Sequence, residues 1–429
     1  MMFIHGLYQL GITLFYPCYM AYFLYAAMRE PHESAVLWQR LGWYGSEKVP
    51  QKTMMIVAEG FGEVQSIRPL LHALAKQYPS QTITLVVQCS KTVNYVKKTW
   101  PEHYVLLLPF DMRYIVRHFM HVTNPSVVVI VERALWPNLY NILAKKNIPR
   151  ALISGRLSDK SFYYYKYVST FIAHTYEQLE WLILQDKQTR NRLRALGVDQ
   201  KKLQVGGNLK YCVESVSPAE FNKIRAKRVT WLELEKETFV IIGVSTHAQE
   251  EAVLLESVRW LRQQHPKKAI HLILVPRDIT RSSEIARLSE RYHLRPSFFS
   301  EGVQKGSDVY ILDVMGKMCA YLPWADCAFI GGSWINAGGH NPLEAIKMRV
   351  SVLTGKNYSN FQMVWDDLAT QKAALIMQDQ QQLHKTLERL LLDKPYRDSM
   401  VARAELLLAC GKKTLALYME VWGLLLKGL

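Results

Sequence analysis

Short runs of β-branched and aliphatic residues, each followed by a longer amphipathic stretch, recur along this chain in two series. The first comprises Thr53–Ala58, Thr82–Gln88, Tyr104–Leu108, Ser126–Val131 and Ala151–Ile153, separated by stretches of helical period such as Val64–Tyr78 and Trp136–Lys146. After a polar region at Tyr211–Glu237, the second runs through Phe239–Gly243, Ile270–Val275, Val309–Leu312, Cys327–Ile330 and Ser351–Leu353, with helical stretches at His247–Gln264 and Asn341–Met348. Continuous apolar runs of strand length belong to strands covered on both faces, as in parallel sheets. The pattern predicts an α/β chain with two Rossmann-like doubly wound domains. Ligands of such sheets sit beyond the carboxyl ends of the strands, so two such domains facing a cleft would hold their site in it.

The 429 residues divide on this reading into an N-terminal segment 1–28, a first domain 29–210, a linker 211–237, a second domain 238–400 and a helical tail 401–429. Phe3–Met28 contains no Asp, Glu, Lys or Arg. It exceeds the roughly 20 residues needed to cross a bilayer. Tyr8, Tyr16, Tyr19, Tyr22 and Tyr25 suit a membrane interface, and Pro17 is tolerable in lipid. A signal peptide fits poorly, with no basic start and no clear small-residue cleavage site. Arg29, Arg40, Lys48 and Lys52 follow the segment and orient the rest toward the cytoplasm. The expectation is a single N-terminal membrane anchor, with the globular domains on the cytoplasmic face. An interfacial or a core helix is the alternative, since five tyrosines, His5 and Gln9 dilute the apolar run. The tail Ala402–Leu429 reads as a helix or helix pair broken near Gly411, packed on the fold or lying on a membrane surface.

Lys plus Arg number 53 and Asp plus Glu 37, a net charge of +16 that calls for an anionic partner. No nucleic-acid-binding motif is present. Arg29, Arg40, Lys48, Lys52, Arg68, Lys91, Lys97, Lys98, Arg113 and Arg117 all fall in the first domain or its approach. With the N-terminal segment, this placement points to membrane phospholipids or a phosphorylated substrate. The six cysteines form no CxxC pair and no metal-ligand spacing stands out, which argues for a reducing compartment.

Chemistry concentrates where strands give way to helices. Ala58-Glu59-Gly60-Phe61-Gly62-Glu63-Val64 is a glycine-rich turn that places Glu63 at a helix start, as a general base or as a cap on the helix dipole. The spacing is GxG and lacks the third glycine of a dinucleotide fingerprint. Glu132 ends the fourth strand, as a site acid or a structural ion-pair member, and Trp136-Pro137 opens the next helix. In the second domain Gly243-Val244-Ser245-Thr246-His247 precedes a helix, with Glu250 giving it a capping-box character. Such a helix start favours anions. Arg277, after Val275-Pro276, suits a phosphate or carboxylate, or else a salt bridge to a neighbouring helix. The densest cluster is Phe329-Ile330-Gly331-Gly332-Ser333, then Gly338-Gly339-His340-Asn341-Pro342-Leu343-Glu344. Its amides can cradle a phosphate, Asn341 can cap the helix, and Glu344 can take a ribose hydroxyl pair.

In these residues the chain resembles the Kdo (3-deoxy-D-manno-oct-2-ulosonic acid) transferases of lipopolysaccharide assembly. The resemblance runs through Arg40-Leu41-Gly42, Gly62-Glu63-Val64, Leu135-Trp136-Pro137-Asn138, Arg156-Leu157-Ser158 and Gly207-Asn208-Leu209-Lys210. It continues through Ser245-Thr246-His247, Val275-Pro276-Arg277, Met315-Gly316, Gly331-Gly332-Ser333 and Gly339-His340-Asn341-Pro342-Leu343-Glu344. It implies a GT-B fold, an anchor in the inner membrane, and transfer of Kdo from CMP-Kdo to a lipid A precursor without a metal or other cofactor. It further implies Glu63 as general base, assisted by Glu132, in an inverting displacement of oxocarbenium character. CMP would be held by Ser245, Thr246, His247, Arg277, Met315, Gly316, Gly332, Ser333, Gly338, Gly339, Asn341 and Glu344. The chain departs from the family pattern in several places. Ala134 stands where a second acid is usual, Lys317 follows Met315-Gly316 in place of Glu, Asp278 replaces His after Pro-Arg, Cys212 replaces Asp after Lys210-Tyr211, and Gly355-Lys356-Asn357 replaces Gly-Pro-His. Two other readings accommodate these departures: a relative using another nucleotide sugar, and a non-catalytic paralogue that binds lipid A or a partner enzyme.

Overall fold

The structure, a computed structural model, describes residues 2–29, 38–43, 49–132, 135–213, 215–232, 235, 237–302 and 304–427. Arg133 and Ala134, and Lys48 of the basic set, lie outside the described residues. Among those described, the chain forms two compact units, one of residues 1–212 with 410–429 and the other of 213–409.

The first unit holds a parallel sheet of seven strands among the described residues. They are β1 (Met54–Val57), β2 (Ile83–Val87), β3 (Tyr104–Leu107), β4 (Val127–Val131), β5 (Arg150–Gly155), β6 (Trp181–Leu184) and β7 (Leu203–Val205), in the order β3-β2-β1-β4-β5-β6-β7. Alternate residues serve opposite faces, as strand geometry requires. Met55, Val57, Val128 and Ile130 enter one apolar layer, while Met54, Ile56, Val127 and Val129 enter the other. The second unit repeats the plan, again with seven parallel strands among the described residues. These are β8 (Phe239–Thr246), β9 (Ile270–Pro276), β10 (Pro296–Phe298), β11 (Val309–Ile311), β12 (Cys327–Ile330), β13 (Ser351–Thr354) and β14 (Ala374–Ile376), ordered β10-β11-β9-β8-β12-β13-β14.

Five helices bear on the site and its surroundings: α1 (Met2–Arg29), α2 (Phe61–Ser66), α3 (Pro218–Trp231), α4 (Ala248–Gln264) and α5 (Lys394–Lys427). The helix expected over Val64–Tyr78 is two, because Ile67 interrupts between α2 and Arg68–Gln77, whose first turn carries Pro69. The expected linker is largely α3, and it belongs to the second unit. Arg225 and Arg228 of α3 bind Asp326, and Asp326 also meets Arg397. A buried carboxylate held by three guanidinium groups ties the segment down.

The tail is neither broken at Gly411 nor a piece apart. α5 runs straight through, and a Cβ at Gly411 would lie 2.0 Å from Tyr211 O. Glycine is there to let two backbones meet. Beyond it Tyr418, Val421, Trp422 and Leu425 complete one apolar layer of the first sheet. The Tyr418 hydroxyl donates to Gly207 O at 2.5 Å and accepts from Ser154 N at 3.0 Å.

The N-terminal segment is helical through Pro17, but among the described residues no helix is long and apolar enough to cross a membrane. The expected spanning anchor is corrected on that ground. Polar tyrosines dilute α1, and one of its faces is committed to protein. Ile12, Tyr16 and Met20 pack on Phe110, Met112 and Ile115. The Tyr8 hydroxyl donates to buried Asp111 at 2.8 Å. Leu10, Leu14, Phe15 and Tyr25 are exposed.

Candidate functional site

β1 and β4 are hydrogen-bonded neighbours, with Val57 opposite Ile130. The strand order reverses between them, and such a switch point leaves a crevice beyond the carboxyl ends of the two strands. Glu63 follows β1 in the first turn of α2. Its Oε2 accepts from Glu59 N at 2.7 Å and Gly60 N at 3.3 Å, a capping arrangement. Its proton affinity is nevertheless high. Burial, then the charges of Glu132 and Glu59, push its pKa up to about 7 against the opposing effect of the two amides. Such a carboxyl changes state at neutral pH and suits general-base work. The side chain that caps α2 is therefore also a carboxyl of raised pKa.

Glu132 comes directly after β4 in the left-handed region, φ 60°, a conformation that costs a non-glycine residue about 1 kcal/mol or more. Its amide donates to Ile153 O at 3.1 Å and its carbonyl accepts from Arg156 N at 3.0 Å, which fixes the residue between β4 and β5. The side chain is buried, with Lys210 Nζ 2.9 Å from Oε1. The ion-pair reading of Glu132 is thus present, and its partner comes from a motif read only as resemblance. Trp136 Nε1 donates to Glu59 Oε1 at 2.7 Å, giving Glu59 a fixed place beside the pair.

In the second unit β8 and β12 are neighbours, Val244 opposite Ile330, again where the order reverses. Ser245 is left-handed, φ 53°, where the β8–β9 register shifts. Thr246 is buried and its hydroxyl donates to Glu251 Oε1 at 3.0 Å. Glu251 in turn receives Arg281 through both oxygens, at 3.1 and 2.9 Å. His247 caps α4.

Glu250, read from sequence only as a cap, organises the glycine loop. Its carboxylate is fully buried. Oε2 accepts from His247 N at 3.1 Å and Gly332 N at 2.8 Å, and Oε1 accepts from Ser333 N and Trp334 N, each at 2.9 Å. These three loop amides, expected to face a phosphate, point inward instead. A Cβ on Gly331 would lie 2.5 Å from Ser245 O and 2.8 Å from Glu250 Oε2, so the loop's approach requires glycine. The Ser333 hydroxyl is likewise internal, donating to Ile330 O and accepting from Gly355 N, both at 2.8 Å.

Around this frame His247 and His340 stack with ring planes 6° apart and Nε2 atoms 3.4 Å apart. Arg277 N donates to Thr246 O at 3.0 Å, fixing that residue's backbone at the end of β8. Gly338 and Gly339 take φ of 81° and 73°. Asn341 Oδ1 accepts from Leu343 N at 3.0 Å, but the helix Leu343–Lys347 has Pro342 at its N-cap, so Asn341 sits one residue before the cap position expected of it. Cys319 Sγ donates to Glu344 Oε2 at 3.9 Å, so the segment after Met315 and Gly316 reaches Glu344. Met315 is exposed and Gly316 left-handed, φ 75°. Asp278 accepts from the Thr280 amide and hydroxyl, at 3.0 and 2.7 Å, bonds that hold its carboxyl below the usual range.

Two doubly wound parallel sheets, each with polar side chains gathered at its switch point, are the parts of the GT-B fold. Residues 35–213 match the family model described as 3-deoxy-D-manno-octulosonic-acid transferase (kdotransferase). The 3-deoxy-D-manno-octulosonic acid transferase of Haemophilus influenzae is 29% identical over 381 residues, 87% of this chain and 87% of its own. Among solved structures, a UDP-GlcNAc 2-epimerase from Neisseria meningitidis bound to UDP-GlcNAc is 12% identical, with a TM-score of 0.54 over 86% of this chain and 99% of that one. A glycosyltransferase from Rickettsia africae is 11% identical, with a TM-score of 0.50 over 88% and 99%. The family model and the Haemophilus influenzae relative support the Kdo transferase family for this chain.

Proposed function

We propose that the protein transfers Kdo from CMP-Kdo to a lipid A precursor, with inversion and without a metal in the transfer step. One observation carries the reading. A buried carboxyl, Glu63, is pushed up to about 7 at the switch point of the first sheet, beside a second buried carboxylate, Glu132. Glu63 takes the proton of the acceptor hydroxyl as that oxygen attacks the anomeric carbon. The electrons of the breaking bond leave on the phosphate of CMP. Glu132, held by Lys210, keeps negative charge near Glu63 and so sustains its basicity. In the second unit His247, Arg277, His340, Asn341 and Glu344 are the side chains suited to phosphate and ribose, while Met315, Gly316, Gly338 and Gly339 shape the loops around the nucleotide. Ser245, Thr246, Gly332 and Ser333 serve as backbone and buried framework.

The membrane is met by the exposed face of α1, Leu10, Leu14, Phe15 and Tyr25, lying in the interface plane. The basic first unit adds attraction to an anionic leaflet and a phosphorylated acceptor. Incubation with CMP-Kdo and a tetraacylated lipid A precursor tests the assignment. Wild type should form the Kdo-bearing glycolipid with release of CMP, and Glu63→Ala should lose most of that activity. No transfer by wild type, or undiminished transfer by Glu63→Ala, overturns it.

A further inference from the structure

The histidine pair of the second unit has a protonation problem that its geometry states plainly. Two imidazole nitrogens 3.4 Å apart accommodate one proton between them. The rings are parallel, so neither turns edge-on to escape the other. His340 is packed against Gly332, where a Cβ would lie 2.9 Å from its Nε2. The charged groups acting on His340 are Arg277, His247 and Glu250. Glu250 is already satisfied by four backbone amides. Cationic Arg277 therefore acts on the pair with little free negative charge to oppose it, and burial first, then Arg277, hold His340 below the ordinary histidine range. The loop amides expected to bind an anion are turned toward Glu250, which leaves the two imidazoles as the groups suited to one.

We propose that His247 and His340 form a proton-accepting anion clamp, taking one proton from solvent as a nucleotide phosphodiester binds and donating N–H groups to its oxygens. No covalent bond changes in this step. The proton comes from bulk buffer, and the phosphate's charge compensates it in place. The inference rests on the nucleotide assignment made above and gives His247 and His340 one shared, proton-linked role within it. It also supplies a reason for stacking two histidines where a lysine would carry a permanent charge beside Arg277: the clamp becomes cationic only when its ligand arrives.

Calorimetric titration of the full chain with cytidine 5′-(methyl phosphate), a diester that does not itself titrate near neutrality, tests this. Titrations run from pH 6.5 to 8.5, at each pH in two buffers of different ionisation heat. Wild type should show buffer-dependent heat corresponding to proton uptake. Its affinity should rise as pH falls, by up to about tenfold per pH unit for one linked proton. His340→Gln and, separately, His247→Asn should bind the probe more weakly, with uptake and pH slope lost. Wild-type binding with no buffer dependence and a flat pH profile overturns the clamp while leaving the nucleotide site standing. A pH slope unchanged in both variants does the same. Failure of wild type to bind the probe at any pH overturns the nucleotide assignment and the clamp with it.

Discussion

Glu63 and Glu132 follow adjacent parallel strands, and the charge of the second raises the proton affinity of the first. A base with a pKa of about 7 is protonated and idle below that pH. The rate of transfer should therefore climb with pH and reach half its plateau near 7. Glu132→Gln removes one of the causes but leaves the burial of Glu63, so the inflection should move to lower pH yet stay above the ordinary carboxylate range. Measurement of kcat/KM from pH 5.5 to 8.5 decides it. An inflection that ignores the substitution would remove Glu132 from the account.

Lys210 makes an equally specific demand. Its ammonium is partly exposed, but the carboxylate it meets is buried. Lys210→Met leaves a buried charge without its cation, which should cost about 1–3 kcal/mol after allowance for Lys210's exposure. Denaturant unfolding of Lys210→Met against the double variant Lys210→Met/Glu132→Gln separates the loss of a pair from the loss of packing. The double variant should recover most of the deficit. Equal deficits in the two would show that the charge on Glu132 is not what Lys210 stabilises.

The two sheets are legible in the sequence because β-branched and aliphatic runs of three to seven residues stand out against the amphipathic stretches between them. Glu63, Glu132, His247 and the glycine loop are legible for a related reason, since strand ends of a parallel sheet are where ligands collect. Strands β6, β7, β10 and β14 are not read from the sequence; they have four, three, three and three residues, too short to show a period clearly. The tail's apolar stripe is visible, but a stripe does not say which sheet it covers. Trp422 reaches Met54 across almost the whole sequence. The inward turn of the loop amides is hidden as well, because it depends on Glu250 lying beneath residues more than eighty positions away. The spanning reading of α1 fails because an absence of charge does not exclude a committed polar contact, here Tyr8 to Asp111.

α5 offers two glycines with opposite expected behaviour. Alanine gains about 1 kcal/mol over glycine in an exposed helix interior. At Gly423 the nearest atom to a new Cβ is the Tyr78 hydroxyl at 3.5 Å, an ordinary contact, so Gly423→Ala should stabilise by up to that amount. At Gly411 the new Cβ would meet Tyr211 O at 2.0 Å. Gly411→Ala should force α5 and the Leu209–Tyr211 turn apart and cost about 1–3 kcal/mol. Thermal unfolding of both variants gives the comparison directly. Stabilisation by both would mean that α5 does not approach Tyr211 this closely.

The exposed face of α1 makes membrane attachment measurable. Leu14 and Phe15 are 66% and 73% exposed, so replacing both with Ser removes apolar surface without disturbing the fold. Burying each side chain in a bilayer interface is worth up to about 2 kcal/mol, and even half of that for each predicts at least about a tenfold loss of binding to vesicles. The basic first unit contributes a separate, screened attraction. Wild-type binding to vesicles containing anionic phospholipid should weaken between 0.1 and 0.5 M salt, since the screening length falls from about 10 Å to less than half of that. The double Ser variant should retain the salt response at lower overall affinity, because its charge is unchanged. Vesicle flotation at the two salt concentrations reads both effects. Binding by the variant as strong as wild type would detach α1 from the membrane, and indifference to salt would remove the charge from the account.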